Sequence, residues 1–384
     1  MKRPNDKRLT YNMNKKIKVL HTVLNLGVAG LERIVAEICL RMDNNQFEVE
    51  VVCFHEKGHF ADLLESNGIR VTLIEQNPNH VDIWQPMRLR KFLRKNKFDI
   101  IHTHTGTFIF SALAGFLART KGIVYTDHGR FLVEPRVRLI EDYIGARLAD
   151  KCVAVSDELK QYLIDKVKFP QKKLLTILNG VNSDTFHPGE KPADLLNELN
   201  IPPTAKIIGI VGRLMTIKDH RTLIEAFEIV NKAIPDAYLI LIGDGPLREE
   251  LYNYVQKIGL ENHILFLGIR NDIPKLLRLL DIFVLSSLSE GTSVSLLEAL
   301  ASGVPSVVTD VGGNPSIVDN NQNGFLVPVK NPQSLAEAII KILSDNNLKK
   351  SFSENAVAKI NRCYSLDNMV NEYSKLYLEI FGVN

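Results

Sequence analysis

Short β-branched runs alternate with amphipathic stretches along this chain, and that alternation limits its possible folds more than any other feature. In the first half the runs are IKVLHTVL (17–24), VEVVCF (49–54), VTLIE (71–75), DIIHTH (99–104), GIVYTD (122–127), CVAVS (152–156) and LLTILN (174–179). In the second they are KIIGIVG (206–212), AYLILIG (237–243), ILFLG (264–268), DIFVLSS (281–287), PSVVTD (305–310) and GFLV (324–327). Helical patterns such as LERIVAEICLRM (31–42) lie between most of them. Nearly continuous apolar strands separated by helices read as parallel sheets covered on both faces.

The 384 residues suffice for two cores, at ~100–200 residues per domain. Between the halves, FHPGEKPADLLNELNIPPTAK (186–206) is rich in proline and polar residues, with a short helical piece inside, and reads as a linker. The expected division is a basic tail over 1–15, a Rossmann-like domain over 16–186, a linker over 187–205, a second Rossmann-like domain over 206–365, and a helical segment over 366–384. The expected fold class is α/β, two doubly wound parallel-sheet domains facing across a cleft. Ligands are expected at the carboxyl ends of the strands and between the domains.

A net charge of +3 is too small to point to nucleic acid, and none is expected as a partner. Cys39, Cys53, Cys152 and Cys363 show no C-x-x-C spacing and read as reduced thiols of a cytoplasmic protein. The basic N-terminus lacks the apolar core of a secretory signal, and FIFSALAGFLA (108–118) is too short to span a bilayer.

The strand-to-helix turn in SEGTSVSLLEALASGVPSVVTD (289–310) carries two carboxylates, Glu290 and Glu298. Ser295 and Glu298 also match the S-x-x-E capping box, a structural reading of equal standing. VGRLMTIKDHRTLIEAF (211–227) places Arg213 and Lys218 after the first strand of the second half. A guanidinium fork and a compact ammonium suit phosphate oxygens, and a helix N-terminus adds backbone donors. Solvated surface cations are the alternative. In LNLGVAGLER (24–33), Gly27 and Gly30 permit close approach of backbone to a ligand, or mark a tight turn. His128, in TDHG (126–129), is placed to bond a hydroxyl or accept a proton, or is structural.

In order and spacing, these motifs resemble the retaining glycosyltransferases of family 4, with the GT-B fold. The resemblance covers nearly the whole chain, through GLER (30–33), DIIHTH, TDHG, VAVSDELK (153–160), NGVNSDTF (179–186), VGRL…K (211–218), LIGDGP (241–246), EGTSVSLLE (290–298), ASGVP (301–305) and DVGGNP (310–315). It implies transfer of a sugar from a nucleotide-diphosphate sugar to an acceptor hydroxyl with retention, in envelope or exopolysaccharide synthesis. Glu298 would bond the ribose, Glu290 the donor sugar, and Arg213 with Lys218 the diphosphate. Gly212, Gly291, Thr292 and Ser293 would line the donor site. Gly30 would sit at a phosphate loop and His128 near the sugar. The 366–384 segment would cross back to the first domain. Ala29, Asn182 and Ser316 depart from the family's usual residues.

No D-x-D occurs, so neither a metal nor another cofactor is expected. In the mechanism the family implies, the acceptor attacks the face that the diphosphate leaves, and the departing phosphate takes its proton. Rival readings are an NAD-dependent oxidoreductase, a nucleotide-sugar epimerase or phosphorylase, and a silent binding subunit. G-x-G-x-x-G is missing after the first strand of either half, which argues against the first. MRLRKFLRKNK (87–97) carries six basic residues and no acidic ones. It is either an ordinary solvated helix face or a contact with anionic membrane, suited to a glycan or lipid-linked acceptor and to peripheral placement at the inner membrane face.

Overall fold

The computed structural model describes residues 16–75, 82–130 and 134–383. The expected basic tail lies outside the described residues. By contacts the chain divides into two units. One runs to His128, resumes over Pro135–Ile177 and is completed from Asp367 onward; the other comprises Gly129–Glu134 and Leu178–Leu366.

In chain order the first unit contains β1 (Ile17–Val23), α1 (Gly30–Arg41), β2 (Phe47–Cys53), α2 (His59–Ser66), β3 (Val71–Leu73), α3 (Gln85–Asn96), β4 (Ile100–His104), α4 (Phe108–Ala118), β5 (Gly122–Asp127), α5 (Arg136–Leu148), β6 (Lys151–Ala154), α6 (Asp157–Asp165) and β7 (Leu174–Thr176). All seven strands are parallel, ordered β3-β2-β1-β4-β5-β6-β7. β1, β4 and β5 are buried almost throughout, as their unbroken apolar runs require of strands covered on both faces. Leu20, Leu89, Leu93, Ile101, Ala112 and Tyr125 belong to the core shared with α3 and α4.

The second unit contains α7 (Ala193–Glu198), β8 (Lys206–Val211), α8 (His220–Ala233), β9 (Ala237–Ile242), α9 (Arg248–Lys257), β10 (Ile264–Gly268), α10 (Ile273–Leu279), β11 (Ile282–Leu285), α11 (Val294–Ala301), β12 (Ser306–Thr309), α12 (Asn314–Ile317), β13 (Gly324–Val327), α13 (Pro332–Ser344) and α14 (Asn346–Cys363). Its six parallel strands are ordered β10-β9-β8-β11-β12-β13. The expected α/β class, two doubly wound parallel sheets, is what the chain adopts.

Residues 187–205, read from sequence as a linker, are part of the second unit. The short helical piece read within it is α7, but its Leu195 and Leu196, with Ile201 and Ala205, are buried in that unit's core, so the segment is part of the unit and not a linker. Leu178–Phe186 joins them there.

The final helix, α15 (Leu366–Phe381), lies on the first unit. Gly122 makes room for it: a Cβ there would stand 2.2 Å from Ile380 Cγ2. Met369, Val370, Tyr373, Leu376 and Tyr377 are buried, and apolar burial of this kind contributes about 1.5–3 kcal/mol per side chain. Arg41–Asp367 at 3.0 Å and Lys151–Glu379 at 2.8 Å flank the helix at exposed positions, where an ion pair contributes ~0–1 kcal/mol. Burial therefore dominates its attachment.

Cys39, Cys53 and Cys152 are buried free thiols and Cys363 is half-buried. No described helix is long and apolar enough to cross a membrane.

Candidate active site

In the second sheet the strand order reverses between β8 and β11. Such a switch point opens a crevice at the strands' carboxyl ends. The Arg213–Lys218 loop leaves β8 there, and the Glu290 loop leaves β11. Lys218 Nζ donates to Glu290 Oε1 at 2.6 Å. Ser287 Oγ donates to the same oxygen, also at 2.6 Å. Glu290 is nearly buried, its side chain 8% exposed, whereas Lys218 is 21% exposed.

Sequence reasoning missed the device that joins the two loops. Ser286 Oγ donates to the Lys218 carbonyl at 2.9 Å, and Leu288 N to the Ile217 carbonyl at 2.8 Å. The sequence signal was present, since DIFVLSS ends a buried strand in two hydroxyls. Thr309 Oγ1 donates to the Ser287 carbonyl at 2.6 Å, tying in the next strand.

Glycines complete the packing. A Cβ on Gly312 would lie 1.9 Å from the Glu290 carbonyl oxygen, and one on Gly313 2.3 Å from that of Gly291. Gly312 has φ +50, and Gly313 N donates to the Gly291 carbonyl at 3.0 Å. Thus DVGG wedges its backbone against the Glu290 loop. GDG does the same for the Arg213 loop: a Cβ on Gly243 would lie 2.1 Å from the Gly212 carbonyl oxygen, and one on Gly245 2.5 Å from that of Leu214. Gly212 itself sits beside the Lys218 side chain.

Arg213 is exposed and makes no side-chain hydrogen bond or ion pair among the described residues. Lys218 ends a single 3-10 turn before α8. The expected free helix terminus is not there. Asp219 is the N-cap of α8, accepting from Thr222 N at 3.4 Å and Thr222 Oγ1 at 2.7 Å. A carboxylate already occupies the place an anion would take.

Glu298 is buried in the middle of α11, and the capping-box alternative fails. The N-cap is Ser293, whose Oγ accepts from Leu296 N at 3.4 Å; Ser295 lies inside the helix. Thr292 and Ser293 are themselves buried, and the Ser293 hydroxyl is engaged in the turn, as the cap and beside Ser295 Oγ at 3.3 Å. Glu298 is thus a buried acid inside an apolar helix and not part of its N-terminal cap.

In the first unit, Gly30 is the first residue of α1, and its N-cap, Ala29, offers no side-chain cap. Gly58, at φ +75, packs on the same loop: a Cβ there would stand 2.6 Å from the Leu26 backbone. His128 is half-buried just after β5, and β4 and β1 supply three buried histidines behind it. His104 Nδ1 lies 2.9 Å from His128 Nε2, and His21 Nδ1 3.1 Å from His104 Nε2. His102 Nδ1 lies 2.6 Å from Tyr377 Oη, and its Nε2 2.8 Å from Thr126 Oγ1. Burial lowers His21 and His128 to about 3 and holds His102 and His104 well below the ordinary range. Each ring is therefore neutral near pH 7. Among the described residues, His21, His102 and His104 form the group whose spacing would allow a metal.

Two Rossmann-like units, one carrying a paired acid and base at its switch point, define a GT-B type of α/β protein. The region 193–359 matches the family described as glycosyl transferases group 1, and 28–185 matches glycosyltransferase family 4. A UDP-Gal:alpha-D-GlcNAc-diphosphoundecaprenol alpha-1,3-galactosyltransferase of Escherichia coli is 30% identical over 96% of this chain and 98% of its own. An N-acetyl-alpha-D-glucosaminyl L-malate synthase of Bacillus anthracis is 26% identical, covering 78% and 79%. Anabaena HepE, solved with UDP and glucose, superposes with a TM-score of 0.85 at 24% identity, over 94% of this chain and all of that one. A Rickettsia africae glycosyltransferase does so at 0.82 and 24%, over 97% and 99%. The chain belongs to the group 1 glycosyltransferases.

Proposed function

We propose that this glycosyltransferase moves a hexosyl group from a UDP-sugar to a hydroxyl of a sugar carried on a lipid diphosphate, with retention at the anomeric carbon. The observation that carries this reading is the Lys218–Glu290 pair at the β8/β11 switch point, with exposed Arg213 on the same loop. The donor and acceptor classes are those in the name of the Escherichia coli relative.

Glycosyl transfer builds positive charge on the sugar ring and negative charge on the leaving group. Preorganised donors aimed at that negative charge supply the largest catalytic effect. Arg213 and Lys218 take this role for the diphosphate, without a metal. As Lys218 turns to phosphate, Glu290 is released to accept hydrogen bonds from the sugar. Glu298 accepts from the ribose. His128 contributes a hydrogen bond to the transferred sugar, and the uncapped start of α1 at Gly30 is offered to phosphate. The departing phosphate oxygen takes the acceptor's proton, so no separate base is required. Gly212 and Gly291 keep the donor loops narrow, and Thr292 and Ser293 shape the turn between Glu290 and Glu298.

A peripheral contact with anionic membrane fits the same acceptor. On α3, Leu89 and Leu93 are buried while Arg88, Lys91, Arg94 and Lys95 are exposed. Arg90 and Arg94 donate to the Leu117 carbonyl, at 3.3 and 3.2 Å, beside exposed Phe116 and Leu117. Trp84 and Met87 are also exposed. Apolar side chains set among cations suit an anionic lipid surface.

Calorimetric titration with UDP and UDP-galactose tests the donor site. Binding is expected in the wild type and weakening of tenfold or more in Lys218→Ala. A chain that binds neither these nor other nucleotide-sugars overturns the reading.

A further inference from the structure

The alternation of side chains along a strand puts His102 and His104 on one face of β4, with Thr126 and His128 in the same relation at the end of β5. Parallel register sets His21 beside His102, and His104 beside Thr126. α15 covers this face with Tyr373 and Tyr377. The result is a continuous row: His102, Tyr377, His21, His104, His128. Seven of the eight ring nitrogens have a partner. The eighth, His128 Nδ1, is buried with none among the described residues.

The direction of the row follows from its distances. Tyr377 Oη lies 2.6 Å from His102 Nδ1 but 3.5 Å from His21 Nε2. A separation of 2.6 Å suits an O–H donor better than an N–H donor, whose range begins at about 2.7 Å. Tyr377 therefore spends its one proton on His102. Its oxygen can then only accept from His21, which places the His21 proton on Nε2. His21 Nδ1 must accept from His104 Nε2–H, and His104 Nδ1 from His128 Nε2–H. Reversal of any single link sets two lone pairs or two protons against each other in a buried site, and it is the short Tyr377–His102 separation that selects this direction for the row as a whole. Among the described residues, the hydrogen-bond partners of the row's side chains are histidine, tyrosine and threonine, none of them a carboxylate.

We propose that Tyr377, His21 and His104 form a hydrogen-bonded relay that holds His128 in its Nε2–H tautomer, making Nδ1 a preset acceptor for a ligand hydroxyl. The identity of that hydroxyl as one on the donor sugar rests on the function proposed above. His21, His104 and Tyr377 are positioning residues: they act through His128. A metal held by His21, His102 and His104 is the competing use of the same nitrogens, and it would bury a double positive charge among rings whose hydrogen-bond partners in the described residues include no carboxylate.

Long-range proton–nitrogen NMR on the full chain with 15N-histidine reads the tautomers directly. The wild type should show His128 protonated on Nε2, and Tyr377→Phe should release it to a mixture. His104→Gln cuts the row at a second place and covers the case in which Tyr377→Phe misfolds. His128 protonated on Nδ1 in the wild type, an unchanged tautomer in both variants, or one equivalent of bound transition metal overturns the relay. Titration separates the two readings. A relay variant should bind UDP as the wild type does and lose roughly tenfold for UDP-galactose. An altered tautomer with an unaltered ratio of the two affinities upholds the relay and overturns the sugar contact.

Discussion

Lys218 and Glu290 meet at 2.6 Å although 72 residues separate them, because β8 and β11 are neighbours at the point where the second sheet reverses its order. Ser287 shares the bond, and Gly312 closes against the backbone beneath it.

Lys218→Ala and Arg213→Ala should each reduce kcat by roughly 10²–10³, the scale for removing one preorganised donor. Arg213 is exposed and unpaired among the described residues, so its variant should keep the wild-type melting temperature. Steady-state kinetics beside thermal denaturation check both; turnover near wild type in either variant contradicts the role.

Glu298→Gln should separate binding from folding. The amide preserves the volume inside α11, while the negative charge is lost and one of the two oxygens that would accept from the ribose becomes a donor. UDP affinity should fall by about tenfold or more, the scale of one charge-assisted hydrogen bond. Calorimetry reads it, and an unchanged affinity counts against the ribose contact.

Gly312→Ala should damage activity beyond its effect on backbone strain. Gly312 and Gly68 both have positive φ, but a Cβ on Gly68 meets nothing within 4 Å whereas one on Gly312 strikes the Glu290 carbonyl. Gly68→Ala should cost about 1–2 kcal/mol and leave kcat alone. Gly312→Ala should cost more stability and lower kcat as the Glu290 loop shifts. Equal kinetics in the two variants contradict the wedge.

Stability should fall steeply as pH drops from about 6.5 toward 3. His21 and His128 are lowered to about 3 by burial, and His102 and His104 are lowered as well. The unfolded chain binds these protons near pH 6.5 and the folded chain does not. The stabilisation is therefore fully present above 6.5 and lost on acidification, at up to ~1.4 kcal/mol per pH unit for each histidine. Urea unfolding at several pH values measures the slope; a flat profile from 6.5 to 5 contradicts the buried neutral row.

Much of this architecture could be read from the residues alone. GIVYTD, ILFLG and GFLV coincide with β5, β10 and β13 residue for residue. DIFVLSS overran its strand because Ser286 and Ser287 leave the ladder to bind the Lys218 and Glu290 loops, a use that β propensity does not encode. The capping box failed because Ser293, two residues earlier, took the cap. The short helix inside the linker, α7, was legible, but six residues give too few turns to show that Leu195 and Leu196 pack into the second unit's core. The histidine row was invisible. His102 and Tyr377 are 275 positions apart, and only the return of α15 to the first unit joins them.

The most direct measurement of the central claim is product analysis. The chain is incubated with UDP-galactose, or another UDP-sugar that binds, and N-acetylglucosamine on a lipid diphosphate. NMR of the new anomeric centre is then recorded. The account predicts a single α-linked product, formed by the wild type and lost in Lys218→Ala. A β-linked product, or no UDP release from any UDP-sugar, would contradict it.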